Sequence, residues 1–108
     1  MHFALPPLFR YGARVKDYEK LRSLLQEEDY PHLYIHKFIG LKTDLFRSEV
    51  ERLEREFPRA QRVGERESSG EGPQSYLAFT FELLADDADE IIELLKLTST
   101  LKDVRIIL

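Results

Sequence analysis

The chain has 108 residues, 43% of them hydrophobic and 33% charged, and its formal net charge is −4 at pH 7. This length suits one domain, and the apolar content is enough for one core, which excludes a wholly disordered chain. The sequence contains no cysteine, tryptophan or asparagine, which excludes disulfides, thiolate metal ligands and thiol nucleophiles. The acidic balance disfavours nucleic acid, because duplex-binding proteins neutralise phosphates with basic side chains.

The N-terminal part of the chain divides into two segments. Residues 1–14 contain two prolines and a glycine without a sustained apolar period, which predicts an irregular arm. Apolar residues then recur at helical spacing, which predicts an amphipathic helix over 15–28. The segment that contains this helix, 15–30, ends before Pro31, because proline interrupts helical geometry. No basic n-region precedes the apolar run and no apolar stretch reaches membrane-spanning length, so we expect a cytoplasmic protein.

The first strand and the second helix follow directly. A run of β-branched and aromatic residues over 33–39, ending at Gly40, predicts a strand. Thr43-Asp44 supplies the expected N-cap of a helix whose apolar residues repeat every three or four positions as far as Phe57, before Pro58.

The remainder of the chain predicts a hairpin, a helix and a terminal strand. Alternating residues over 60–67 and 76–83, joined by a serine- and glycine-rich connection, predict the β-hairpin. Asp87 and Glu90 predict an acidic capping box at the start of the last helix. Residues 104–108 predict the last strand.

The elements of residues 31–108 thus follow the order βαββαβ, which is typical of the ferredoxin-like sandwich. We predict an α+β fold with an antiparallel sheet in the order 4-1-3-2, both helices of that domain on one face, and an extra N-terminal helix. The second face of the sheet is left free by this arrangement. We expect the helix over 15–28 to cover it, with a second copy or another protein as the alternative.

The alternation within each strand predicts which residues occupy the free face. On the third strand, Leu77, Phe79 and Phe81 point to the same side, and this side is assigned to the core. On the first strand, the side that carries Lys37 is assigned to the free face, because an unpaired ammonium in a core costs several kcal/mol. Three residues of the last strand are predicted to face inward: Val104, Ile106 and Leu108. The candidate interaction face comprises Leu33, Ile35, Lys37, Ile39, Tyr76, Arg105 and Ile107.

The polar residues offer little catalytic or metal-binding chemistry. The three histidines, His2, His32 and His36, lack zinc-site spacing. We predict that His36 is a core-edge imidazole with a backbone partner. The acidic residues over 86–90 mark a helix start, where the helix dipole favours carboxylates. We therefore expect no catalytic residue, no metal site and no cofactor, and hence no enzyme.

Several short motifs, taken together, resemble a known family. They are Leu21-x-x-Leu24-Leu25, Tyr30-Pro31, Lys37-x-Ile39-Gly40, the double serine 68–69 followed by Ser75-Tyr76, and the terminal run Val104 to Leu108. In order and spacing they are similar to the YbeD-like family of small bacterial proteins, the DUF493 group. This chain departs from the family in a longer N-terminal arm and in extra residues between the double serine and the tyrosine. The resemblance implies a ferredoxin-like fold similar to ACT-type domains, with a regulatory or binding role.

These observations predict a non-enzymatic regulatory or protein-interaction module. We expect a protein partner or self-association, leave a small-molecule ligand open, and expect neither a nucleic acid nor a membrane. The alternative is an RNA-binding module that uses the free face, because the RNA-recognition motif has the same element order. A neutral face with apolar patches would favour a protein partner. Convergence of four basic residues into one strip would favour RNA, and these residues are Lys37, Arg62, Arg66 and Arg105.

Overall fold

A computed structural model describes residues 17–69 and 75–108 of the chain. The helices are α1 (Tyr18–Leu25), α2 (Asp44–Glu56) and α3 (Ala88–Ser99), and the strands are β1 (His32–Leu41), β2 (Gln61–Ser69), β3 (Ser75–Ala85) and β4 (Val104–Ile107). The predicted arm over 1–14, the first residues of the predicted N-terminal helix and the tip of the hairpin lie outside the described residues.

The four strands form one antiparallel sheet in the order β2-β3-β1-β4. β1 is central and pairs with β3 along its whole length, from His32 opposite Ala85 to Leu41 opposite Tyr76. β4 is much shorter and pairs only with residues 38–40 of β1. The α+β class and the antiparallel sheet predicted from the sequence are confirmed.

Two helices pack directly on one face of the sheet, termed the covered face. Its buried members are Tyr34, His36, Phe38, Gly40, Leu77, Phe79, Phe81, Leu83, Ala85, Val104 and Ile107. From α2, the Phe46 ring lies edge-on to Phe38 and Phe79, with centroid distances of 6.1 and 5.6 Å. From α3, the Thr98 hydroxyl lies 2.9 Å from the His36 imidazole. The aromatic rings of β1 and β3 therefore form the centre of the core.

The third helix, α1, packs beside α3 and not on the free face. Leu21 and Leu25 of α1 are buried in the same core as the sheet residues. Arg22 of α1 also donates from Nε to Asp89 of α3 at 2.6 Å. The expectation that this helix covers the free face is therefore wrong, because its apolar side already has a partner in the helix layer.

The end of α1 also differs from the prediction, since the helix ends at Leu25 and not near residue 28. The amides of Glu27 and Glu28 donate to carbonyls three residues earlier, which tightens the final turn. The Tyr30 hydroxyl donates to the Leu25 carbonyl at 2.7 Å. The carbonyls of Leu24 and Leu25 thus have partners without another α-helical turn.

Side-chain caps begin the other two helices. Thr43 Oγ1 accepts from the Phe46 amide at 3.0 Å, which confirms the predicted N-cap of α2 at Thr43-Asp44 and assigns it to Thr43. Asp87 accepts from the Glu90 amide at 3.0 Å, as expected for α3. The Glu90 carboxylate accepts in return from the amide of Asp86, one residue before the N-cap position that a standard capping box uses.

Candidate interaction face

The second face of the sheet carries none of the described helices, and it is termed the open face. Its residues alternate with buried ones along each strand and pair with one another across the strands. They are Leu33, Ile35, Lys37, Ile39 and Leu41 of β1, Tyr76, Ala78, Thr80, Glu82 and Leu84 of β3, Gln61, Gly64, Arg66 and Ser68 of β2, and Ile106 of β4.

The predicted sides of β1 and β3 are confirmed. Leu33 and Ile35 are 52% and 46% exposed, and Lys37, on the same side of the strand, is also exposed. Ile39 and Tyr76 are half-buried on the same face. Five of the seven residues predicted for the interaction face therefore lie together on the two central strands.

Ile107 does not belong to the open face. Its side chain is 1% exposed, and it lies opposite Phe38 on the covered face. Its neighbour Ile106, predicted to face the core, lies opposite Ile39 on the open face. Leu108, also predicted to face inward, is 48% exposed. The predicted sides of these three residues are wrong.

A β-bulge explains the reversal. Ile39 and Gly40 are adjacent in β1, but their partners Ile106 and Val104 are two residues apart in β4, so Arg105 is an extra residue. The extra residue shifts the alternation by one position, although Val104 stays inward as predicted. Arg105 itself is exposed at the bulge, on an edge strand of the sheet. A prediction based on strict alternation places every residue after the bulge on the opposite side.

Leu84 is the most exposed large apolar residue of the open face and is absent from the predicted set. It is 54% exposed and lies directly opposite Leu33, which makes an apolar pair across the central strands. The predicted strand ends at Leu83, two residues before the end of β3 at Ala85. Continuing the alternation beyond Phe81 and Leu83 by one residue would have placed Leu84 on the open face.

One base and one acid lie near the middle of the open face. Lys37 lies opposite Thr80, and Glu82 lies opposite Ile35, so the two charged residues occupy neighbouring strands with one inward-facing residue pair, His36 and Phe81, between them. Within residues 17–69 and 75–108, the ion pairs of the structure involve neither of them. Both charges therefore remain available to a molecule that docks on this face.

The basic residues do not converge into one strip. The Arg62 guanidinium lies on the helix side of the sheet, where it donates to Glu54 at 2.6 Å and to Glu65 at 3.1 Å. Arg66 lies on β2 and Arg105 on β4, the two outer strands, so the width of the sheet separates them. The basic side chains of the open face are therefore dispersed, with Lys37 on the central strand β1 and Arg66 and Arg105 at opposite edges.

Behind the open face, β1 carries a buried histidine. His36 is fully buried, and its Nε2 lies 2.9 Å from Thr98 Oγ1. The Thr98 hydroxyl donates its one proton to the Leu94 carbonyl at 2.8 Å, so His36 Nε2 must donate to Thr98. Burial lowers the pKa of His36 to about 3, which keeps the ring neutral. The histidine is deeper than predicted, and its partner is a side-chain hydroxyl and not a backbone group.

Two polar atoms near this histidine lack partners. His36 Nδ1 and the Tyr34 hydroxyl are buried without a hydrogen bond to any described residue. Their rings are stacked, with a centroid distance of 6.0 Å. Burial also raises the pKa of the Tyr34 hydroxyl. Both side chains are neutral members of the core.

Three further observations bear on the function of the chain. In the described part of the chain, no group of three or more His, Asp or Glu side chains is placed to hold a metal ion. No helix in that part is both long and apolar enough to cross a lipid bilayer. Comparison with models of protein families, with curated proteins and with solved structures finds no significant match.

Proposed function

We propose that this chain is a non-enzymatic interaction module that binds a protein through its open face. The observation that carries the proposal is the apolar strip along the two central strands. There Leu33 and Leu84 form a cross-strand pair, and more than half of the surface of each residue is exposed. Ile35 and Ile39 extend the strip along β1. Contiguous apolar patches of this kind mark interaction surfaces in soluble domains. The described helices all pack elsewhere.

The composition of the open face favours a protein over RNA. RNA-binding sheets of this element order stack bases on exposed aromatic rings. Here Phe79 and Phe81 lie in the core, and Tyr76 is the one aromatic residue on the open face among the described residues. The separation of Arg66 and Arg105 also leaves no continuous track for a phosphate backbone.

We further propose a ferredoxin-like sandwich with an added N-terminal helix, in the YbeD-like family, and a regulatory role by analogy with ACT-type domains. The strand order β2-β3-β1-β4 and the helix layer on one face support this assignment. Gly40, part of one resembling motif, also has a structural reason to be glycine. A Cβ at this position would lie 2.4 Å from the Phe46 ring and 2.6 Å from the Asp103 carbonyl oxygen.

Site-specific photocrosslinking in the cells that make the protein tests the interaction face. A photoreactive phenylalanine analogue at Leu33 or Leu84 should capture a discrete protein species. The same analogue at Leu45, which is 47% exposed on α2, is the control and should capture none. Equal capture from Leu45, capture of RNA, or no capture from either open-face position would contradict the proposal.

A further inference from the structure

We propose that the protein bound at the open face is a second copy of this chain, packed face to face about a twofold axis. This inference rests on the proposed function of the open face as a binding surface. It is carried by the positions of Lys37 and Glu82, the two charged residues of the central strands on that face.

The arrangement of these two residues is self-complementary. Lys37 and Glu82 lie on neighbouring strands, with one inward-facing residue pair between them. Consider a twofold axis that lies midway between two stacked sheets and parallel to them. If this axis crosses the Lys37–Glu82 line at its midpoint and at a right angle, seen in projection onto the sheet, it places Lys37 of each copy over Glu82 of the other. One docking contact therefore forms two equivalent ion pairs, as an isologous interface requires.

The same axis brings like residues together at the centre. Ile35 and Thr80 are the cross-strand partners of Glu82 and Lys37, so they occupy the other two corners of this group of four residues. Both corners lie close to the axis, so each residue meets its own copy. The centre of the interface then consists of an isoleucine contact flanked by two ion pairs. Arg66 and Arg105 remain at the edges, where water and salt screen their repulsion.

Other occupants satisfy the two central charges less completely. Residues 1–16 of this chain contain Arg10, Arg14 and Lys16 but no acidic side chain, so that segment has no carboxylate for Lys37. A uniformly acidic partner would place like charge against Glu82. Burying either charge without a partner is costly, whereas a second copy supplies both partners at the required separation.

Sedimentation equilibrium of the full chain and of two charge-reversal variants tests the inference. The wild-type chain should form dimers, and Lys37→Glu or Glu82→Lys should each weaken dimerisation by at least about tenfold, because like charges then meet at both ion-pair positions. An equimolar mixture of the two variants should form heterodimers, since each acidic position then meets a lysine. The double variant Lys37→Glu/Glu82→Lys should dimerise within about threefold of the wild type.

Glu93→Lys is the matched control, because it makes the same charge change as Glu82→Lys at an exposed position of α3. It should leave dimerisation unchanged, and circular dichroism should show that every variant is folded. A wild-type chain that stays monomeric at its highest soluble concentration, or a mixture that fails to restore dimers, would overturn the inference. If Leu33 and Leu84 photocrosslink to a different protein, the second copy is wrong and the interaction face stands, whereas no crosslink at all overturns both.

Discussion

The covered face and the open face of the sheet share one backbone but differ in what surrounds their side chains. On the covered face, the Phe38 ring lies 5.8 and 5.7 Å from Phe79 and Phe81, and no part of it is exposed. On the open face, Leu33 and Leu84 pair just as directly but remain more than half exposed. Apolar content on both faces therefore does not decide which one becomes the core. The helices pack on one face, and the apolar side chains of the other stay exposed.

The largest difference between the faces is expected at two adjacent positions of β3. Phe79→Ala should lower the free energy of unfolding by about 3–5 kcal/mol, because it removes a buried ring from the aromatic core. Thr80→Ala, on the open face, should lower it by less than about 1 kcal/mol. Urea denaturation followed by circular dichroism measures both. Similar losses for the two variants would mean that the two faces are not distinguished as described.

The next effect concerns the buried histidine of the covered face. The pKa of His36 is about 3 in the folded chain against an ordinary value of 6.5, so the unfolded chain binds the proton more tightly. This contribution to stability is complete above pH 6.5 and is lost as the pH falls towards 3, by roughly 2–3 kcal/mol at about pH 4.5.

Denaturation at a series of pH values, compared between the wild type and His36→Phe, isolates this contribution from that of the carboxylates. The phenylalanine variant should lose much less stability than the wild type between neutral pH and about pH 4.5, since its ring does not titrate. Parallel pH dependences of the two proteins would show that His36 is not held neutral by the core.

Two glycines provide a smaller comparison between the faces. Gly40→Ala should cost about 1–3 kcal/mol, because the new methyl group overlaps the Phe46 ring and the Asp103 carbonyl. Gly64→Ala lies on the open face, where the nearest atom to a Cβ is 3.6 Å away in Thr80. It should be neutral or stabilising by up to about 1 kcal/mol. Thermal melts decide between this order and its reverse, which would contradict the assignment of the faces.

The smallest effect on folding is expected from the apolar pair of the open face. Leu33→Thr and Leu84→Thr should each change the free energy of unfolding of dilute protein by less than about 1 kcal/mol, because threonine suits a strand and both positions are exposed. The same variants should bind less of a dye that reports exposed apolar surface. A loss comparable with that of Phe79→Ala would show that this pair belongs to the core.

The parts of the structure that were predictable are those fixed by neighbouring residues. The charge of Lys37 fixes the sides of β1, and the position of Thr43 before an apolar repeat fixes the start of α2. Alternation from Leu77 to Phe81 fixes the sides of β3. In each case the local sequence contains the physical cause, whether a desolvation cost, a cap or a two-residue period.

The parts that the sequence did not predict depend on distant contacts. The partner of His36 is Thr98, 62 residues further along the chain, and no local pattern connects them. The bulge at Arg105 arises from pairing with β1, and it reverses the sides of the residues that follow it in β4. The amphipathic pattern of α1 predicts an apolar side but not which surface receives it, and that surface is α3.

Methyl NMR spectra of the full chain across a dilution series show whether the open faces of two copies associate, because they report on the two faces of the sheet separately. The methyl signals of Leu33, Ile35 and Leu84 should shift with concentration as the open faces of two copies associate. Those of Ile91 in the core and of Leu45 on the surface of α2 should not. Signals that are independent of concentration throughout, or shifts at Leu45 without shifts at Leu33 and Leu84, would contradict the account.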